Sequence, residues 1–93
     1  MMVRLTLSRD ETLVAVRQVL ADTLSLGPQA YQLTETSPLF GSLVELDSMG
    51  VVLVLTALED RFDLSLADED IDAQWFATLG SLVDAVEARL PEN

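Results

Sequence analysis

Apolar residues recur at helical spacing in four segments of this chain, and each has a signal that starts or stops a helix. Leu13, Val16, Leu20 and Leu24 are spaced by 3, 4 and 4, the intervals that line up one face of an α-helix. Just upstream, Ser8-Arg9-Asp10-Glu11 reads as a capping box, in which the serine hydroxyl and the glutamate carboxylate each take a backbone N–H of the first turn. Downstream, Gly27-Pro28 stops the pattern, because glycine accepts the left-handed conformation that closes a helix and proline cannot continue one. These signals predict a first helix over about residues 9–25.

The second pattern predicts a helix over about residues 48–61, and it has two apolar faces. At about 100° per residue, Val51, Val54, Leu55, Leu58 and Phe62 fall in one arc, the expected core stripe. Met49, Val52, Leu53 and Thr56 point away from it, onto a face that a lone helical domain normally gives to charges. Either the long loop or the short third helix covers that face, or it is a contact surface for a partner.

The last pattern, Leu79, Leu82, Val83, Val86 and Leu90, follows Thr78 as a cap and is closed by Pro91, which predicts a helix over about 78–90. Before it, the acidic run Ala67 to Asp72 leads into Trp75 and Phe76. Negative charge suits the start of a short helix, here about 68–76, and the two aromatic residues read as core or as the lining of a pocket. Leu26 to Leu46 is a long connection for so small a domain, and such segments tend to be functional. Its apolar residues Tyr31, Leu33, Leu39, Phe40 and Leu43 imply that it packs onto the core, with a short turn of helix. Val3 to Leu7 alternates only briefly. The expected fold is all-α, a small bundle of three longer helices and one short one, with a long loop between helices one and two.

Composition narrows the function. Ninety-three residues, 49% apolar, make a single domain with enough material for a core. Sixteen acidic residues against five arginines give a net charge of −11, which repels phosphate backbones and anionic lipid. With no Cys and no His, disulfides, thiolates, the usual zinc ligands and the Ser/His and Cys/His catalytic pairs are all excluded. The longest uninterrupted apolar run, Val51 to Leu55, is far short of the roughly 20 residues that span a bilayer, and the N-terminus lacks a long apolar signal core. The expectation is a soluble, cytoplasmic protein with no catalytic residues, no resident metal, no nucleic-acid partner and no membrane span.

Ser48 stands between the long loop and the doubly apolar helix. A serine at that place is a common helix cap. The same helix start, with unpaired N–H groups and the positive end of the dipole, also suits a phosphate ester on the serine oxygen.

Leu46-Asp47-Ser48-Met49, followed by an apolar helix ending Ala57-Leu58-Glu59-Asp60-Arg61-Phe62, resembles the acyl carrier proteins. The resemblance extends to the long first loop, the acidic short third helix and Ala77-Thr78-Leu79 at the opening of the last helix. It implies an acyl-carrier-like domain over 1–93 that carries 4′-phosphopantetheine on Ser48. A phosphopantetheinyl transferase, holding Mg²⁺ itself, would transfer the group from coenzyme A. The thiol of the arm, which this Cys-free chain lacks, would then hold an acyl group as a thioester. Asp47 would orient the site or meet the transferase, or act as a local cap. The further partners implied are an acyl-activating ligase or acyltransferase and acyl-accepting enzymes, met by a monomer through Met49, Val52, Leu53, Thr56, Glu59 and Asp60.

The chain also departs from the pattern. Fatty-acid-synthesis carriers typically place acidic residues two and five positions after the modified serine, where this chain has Gly50 and Leu53. Leu46 stands where many carriers have a small residue. The tract from Pro38 to Met49 resembles free-standing bacterial carriers of specialised systems, including those linked to exosortase and exopolysaccharide loci, so a specialised pathway is expected. Two alternatives stay open: an aminoacyl or peptidyl carrier, and a helical protein-binding module in which Ser48 is only a cap.

A charge of −11 on a body this small is self-repulsive. The melting temperature should therefore rise between low and moderate salt as the charges are screened. A flat response in a thermal scan across a salt series would show that the acidic groups are too dispersed to matter.

Overall fold

The capping box forms as its residues dictate. In the computed structural model, which describes residues 8–43, 46–66 and 71–90, α1 (Arg9–Leu24) opens with the Ser8 hydroxyl accepting from the Glu11 N–H at 3.2 Å and the Glu11 carboxylate accepting from the Ser8 N–H at 2.8 Å. The Ser8 backbone N–H, and then its side chain, hold the Glu11 carboxyl below its usual range. This support is therefore complete above the ordinary carboxylate pKa and is lost as pH falls through the lowered one. The helix closes at Ser25 and not at the glycine: Ser25 adopts φ 55° and its N–H reaches the Ala21 carbonyl. Gly27, at φ 64°, instead opens a short 3₁₀ segment, Gly27–Gln32, which is the turn of helix expected within the connection.

Helix α2 (Ser48–Phe62) runs one residue further than its periodicity predicts and closes at Asp63, whose φ of 53° turns its N–H onto the Glu59 carbonyl. Helix α3 (Leu79–Arg89) begins one residue after the Thr78 cap and stops one short of Leu90. Its own capping box pairs the Thr78 and Ser81 side chains with each other's backbone N–H at 3.0 Å. Helix α1 packs against both α2 and α3, and Val16, Leu20, Val54, Leu58, Leu79, Leu82 and Val83 are all but sealed from solvent between them. Leu13 and Val51, assigned to the core stripes by spacing, are half-buried at the margin.

Of the short helix expected over 68–76, residues 67–70 lie outside those described, as does the alternating stretch Val3 to Leu7. The remainder forms a 3₁₀ turn, Ala73–Phe76, whose Asp72 carboxylate accepts from the Gln74 N–H at 2.8 Å. Phe76 is buried in the core, while Trp75 is half-buried with the Arg89 guanidinium 4.4 Å from its ring centre. Among the described residues there is no strand beyond an isolated bridge between Pro38 and Thr78, and no helix is long and apolar enough to cross a membrane.

The long connection is fastened to the head of α3. Leu79 N–H donates to the Ser37 carbonyl at 3.0 Å and Gly80 N–H to the Glu35 carbonyl at 2.8 Å, while Leu39 and Phe40 donate to the carbonyls of Ala77 and Phe76. The first amides of α3, which have no partner inside a helix, are thus satisfied by the loop. Leu33, Leu39 and Leu43 are buried as expected, but Tyr31 (79% exposed) and Phe40 (57%) point outward, so the loop packs through its leucines and not through its aromatic residues. Arg9 adds a second fastening, its guanidinium shared among Glu35 of the loop and Asp84 and Glu87 of α3.

Gly80 admits this approach because a Cβ there would lie 2.8 Å from the Glu35 carbonyl oxygen. Gly80→Ala should therefore push the loop off α3 and cost about 1–3 kcal/mol, measured by urea unfolding. An alanine variant as stable as the parent would show that the loop is not held there.

Candidate functional site

Leu46, buried beside the core, ends the long connection with its N–H on the Leu43 carbonyl at 3.0 Å, and α2 starts two residues later. The cap of α2 is Asp47. Its backbone is extended, its carboxylate accepts from the Gly50 N–H at 2.8 Å and its carbonyl accepts from the Val51 N–H at 2.9 Å. Of the roles open to Asp47, local capping is the one its carboxylate performs.

Ser48 is accordingly not the cap but the first helical residue, and it is exposed. Asp47 takes the cap for a physical reason. An N-cap side chain needs an extended backbone and an acceptor that can reach back to the third amide of the helix. Asp47 has both, which leaves the Ser48 hydroxyl outside the capping network, at the positive end of the α2 dipole. An ester phosphate on that oxygen would meet a helix start suited to negative charge, so the residues present fit a phosphopantetheine arm.

The helix beyond Ser48 presents one continuous outer face. Met49 is 64% exposed, Val52 56% and Leu53 48%, and Thr56 is exposed beside them. Among the described residues, neither the loop nor the Ala73–Phe76 turn covers them. No side chain between Ser48 and Leu58 is charged. The face becomes acidic only at its far end, where Asp60 is exposed and Glu59 is half-buried, one of its carboxylate oxygens accepting from the Leu66 N–H at 2.8 Å. Asp63, exposed at the C-cap, extends this acidic end. Periodicity alone passed over it because it follows the last apolar residue, although its spacing of four from Glu59 and three from Asp60 was readable. Arg61 lies off the face, its guanidinium 5.5 Å from the Phe62 ring centre.

A cleft of about 240 Å³ opens elsewhere, between α1 and the Gly27–Gln32 segment, lined by Val14, Arg17, Gln18 and Tyr31 among others and by no residue of α2. It is not a chamber for a group on Ser48. Phe76 is core, and Trp75 is covered on one side by Arg89.

Known proteins agree with this geometry. Residues 14–86 match the family described as phosphopantetheine attachment site, and the chain belongs to that family. Its members are carriers and not catalysts, and their prosthetic group is 4′-phosphopantetheine. Within the family this chain is similar to acyl carrier proteins. It is 31% identical over 84 residues to the acyl carrier protein of Exiguobacterium sp. (strain ATCC BAA-1283 / AT1b), spanning 90% of this chain and all of that one. The solution NMR structure of a holo acyl carrier protein from Nitrosomonas europaea superposes with a TM-score of 0.79 at 52% identity, covering 84% of this chain and 94% of that one.

The capping assignment separates two neighbouring residues. Asp47→Ala should cost about 1 kcal/mol through the lost N-cap, whereas Ser48→Ala should change stability by no more than a few tenths. Urea unfolding of both variants checks this, and equal losses would return the cap to Ser48.

Proposed function

We propose that Ser48 is the attachment point of the phosphopantetheine arm and that the chain carries acyl groups as thioesters between enzymes. The observation that supports this most is an exposed serine at the first position of α2, relieved of capping by Asp47 and lying within the matched family span. The arm, when attached, supplies the thiol that this Cys-free chain lacks. The protein's own part is to hold the hydroxyl at a rigid helix start. The buried Leu46 fixes the approach to α2 from one side, and the core stripe Val54, Leu55, Leu58 and Phe62 fixes the helix from the other. The chain has no His, and the adjacent Asp47 carboxylate is engaged by the Gly50 N–H, so activation of the hydroxyl falls to a phosphopantetheinyl transferase.

On this reading the same enzyme, an acyl-activating ligase or acyltransferase, and the acceptors of the cargo meet the protein in the cytoplasm over the face of Met49, Val52, Leu53 and Thr56, with Glu59 and Asp60 at its end. A dedicated pathway, not general fatty-acid synthesis, is favoured by the uncharged Gly50 and Leu53 at the second and fifth positions after Ser48.

Incubation with coenzyme A, Mg²⁺ and a broad-specificity phosphopantetheinyl transferase should add the mass of one phosphopantetheinyl group to the parent protein and none to Ser48→Ala. Intact-mass spectrometry reads the result. An unmodified parent that is demonstrably folded would refute the assignment, as would modification of the alanine variant.

A further inference from the structure

We propose that the cleft between α1 and the Gly27–Gln32 segment is a second binding site, which takes a small carboxylic acid with an apolar body, the size of benzoate or hexanoate, and seats its carboxylate on Arg17. Val14, Arg17, Gln18 and Ala21 are spaced by 3, 1 and 3 along one side of α1, the spacing of a single helix face. With Ala30 and Tyr31 opposite, they enclose about 240 Å³. At interior packing density that volume takes about ten non-hydrogen atoms, so the ligand is smaller than an ordinary drug-sized molecule.

Arg17 sets the charge of the ligand. Among the described arginines, Arg9 is held by three carboxylates, Arg61 lies against the Phe62 ring, and Arg89 lies against Trp75 and donates to the Ala85 carbonyl. Arg17 has no such counterpart among the described residues: the side chain is half-buried and its Nε is sealed from solvent without an acceptor. An unpartnered buried donor is costly. A carboxylate on the terminal nitrogens offsets that cost, because a charge-assisted bond to a partly desolvated guanidinium is stronger than one in open water. Asp22, the acid that lines the cleft, does not fill this need, since its carboxylate accepts from the Gln18 amide at 2.9 Å. Asp22 and the net charge of −11 both oppose a dianion, so a monoanion is favoured over inorganic phosphate.

The remaining walls set the body of the ligand. Val14 and Tyr31 stand exposed at the cleft while Ala30 is buried beneath. An apolar body lying across them removes that surface from water.

The test titrates the full-length protein with benzoate and with hexanoate at constant ionic strength, at a pH where both acids are ionised, and follows the backbone amides and the Arg17 Nε–H by ¹⁵N NMR. Both acids should give saturable shifts confined to Val14, Arg17, Ala21 and the Gly27–Gln32 segment, with a dissociation constant of about 1 mM, in keeping with so few atoms. Benzamide, acetate and inorganic phosphate should each bind at least about tenfold more weakly, since the first lacks the charge, the second the body and the third both the body and the single charge. Arg17→Gln should weaken benzoate about tenfold, and Tyr31→Ala should weaken it about threefold, with the amide spectrum outside the cleft unchanged in both variants. Shifts that fail to saturate, benzamide or phosphate equal to benzoate, or an Arg17→Gln variant equal to the parent would each overturn the proposal. No step uses Ser48 or a transferase, so the carrier reading stands or falls separately.

Discussion

The structure depends on the fastening of a long, irregular connection to the first turn of α3. Glu35 and Ser37 offer their carbonyls to the N–H groups of Gly80 and Leu79, so that an irregular loop and a helix start, each needing hydrogen-bond partners, supply one another. Without that exchange the segment from Leu33 to Leu46 would have to find water for its carbonyls while its leucines sought the core. With it, Leu33, Leu39, Leu43 and Leu46 are buried in turn, and the chain arrives at Asp47 from a fixed direction. The placement of Ser48 is thus a consequence of contacts made some distance away in the sequence.

Electrostatics works against this arrangement in general and for it at one point. Sixteen acidic groups repel one another, yet three of them, Glu35, Asp84 and Glu87, converge on Arg9. The three ion pairs are partly exposed and each is worth little alone. Their effect is positional, because one guanidinium bridges the start of α1, the loop and the middle of α3. Salt therefore acts in two senses here, relieving the general repulsion while loosening this one junction.

Division of labour between Asp47 and Ser48 lets the start of α2 be capped while the serine hydroxyl stays outside the cap. A helix start needs a side-chain acceptor, and had the serine filled that need its oxygen would have been committed to the backbone. Because Asp47 caps, Ser48 can lie in the first turn with no structural duty. The exposed apolar surface that follows it is likewise tolerated by the fold without being required by it.

Much of this was legible in the sequence. The Ser8–Glu11 box, the stripe Val54, Leu55, Leu58, Phe62 and the Thr78 cap are local features, set by spacings within a turn or two, and the helices appear within a residue of where those spacings place them. The family resemblance around Asp47-Ser48 was likewise readable from contiguous residues. Tertiary structure decided what depends on residues distant in the chain. Ser25 and not Gly27 closes α1, because the closing amide must reach the Ala21 carbonyl while the chain turns into the 3₁₀ segment. Tyr31 and Phe40 face outward although apolar, while the loop, held by its backbone bonds to the head of α3, turns Leu33, Leu39 and Leu43 inward. The exposure of Met49, Val52 and Leu53 belongs here too. Periodicity showed that they point away from one core stripe, but only the route of the loop over α3 determined that nothing in the described chain covers them.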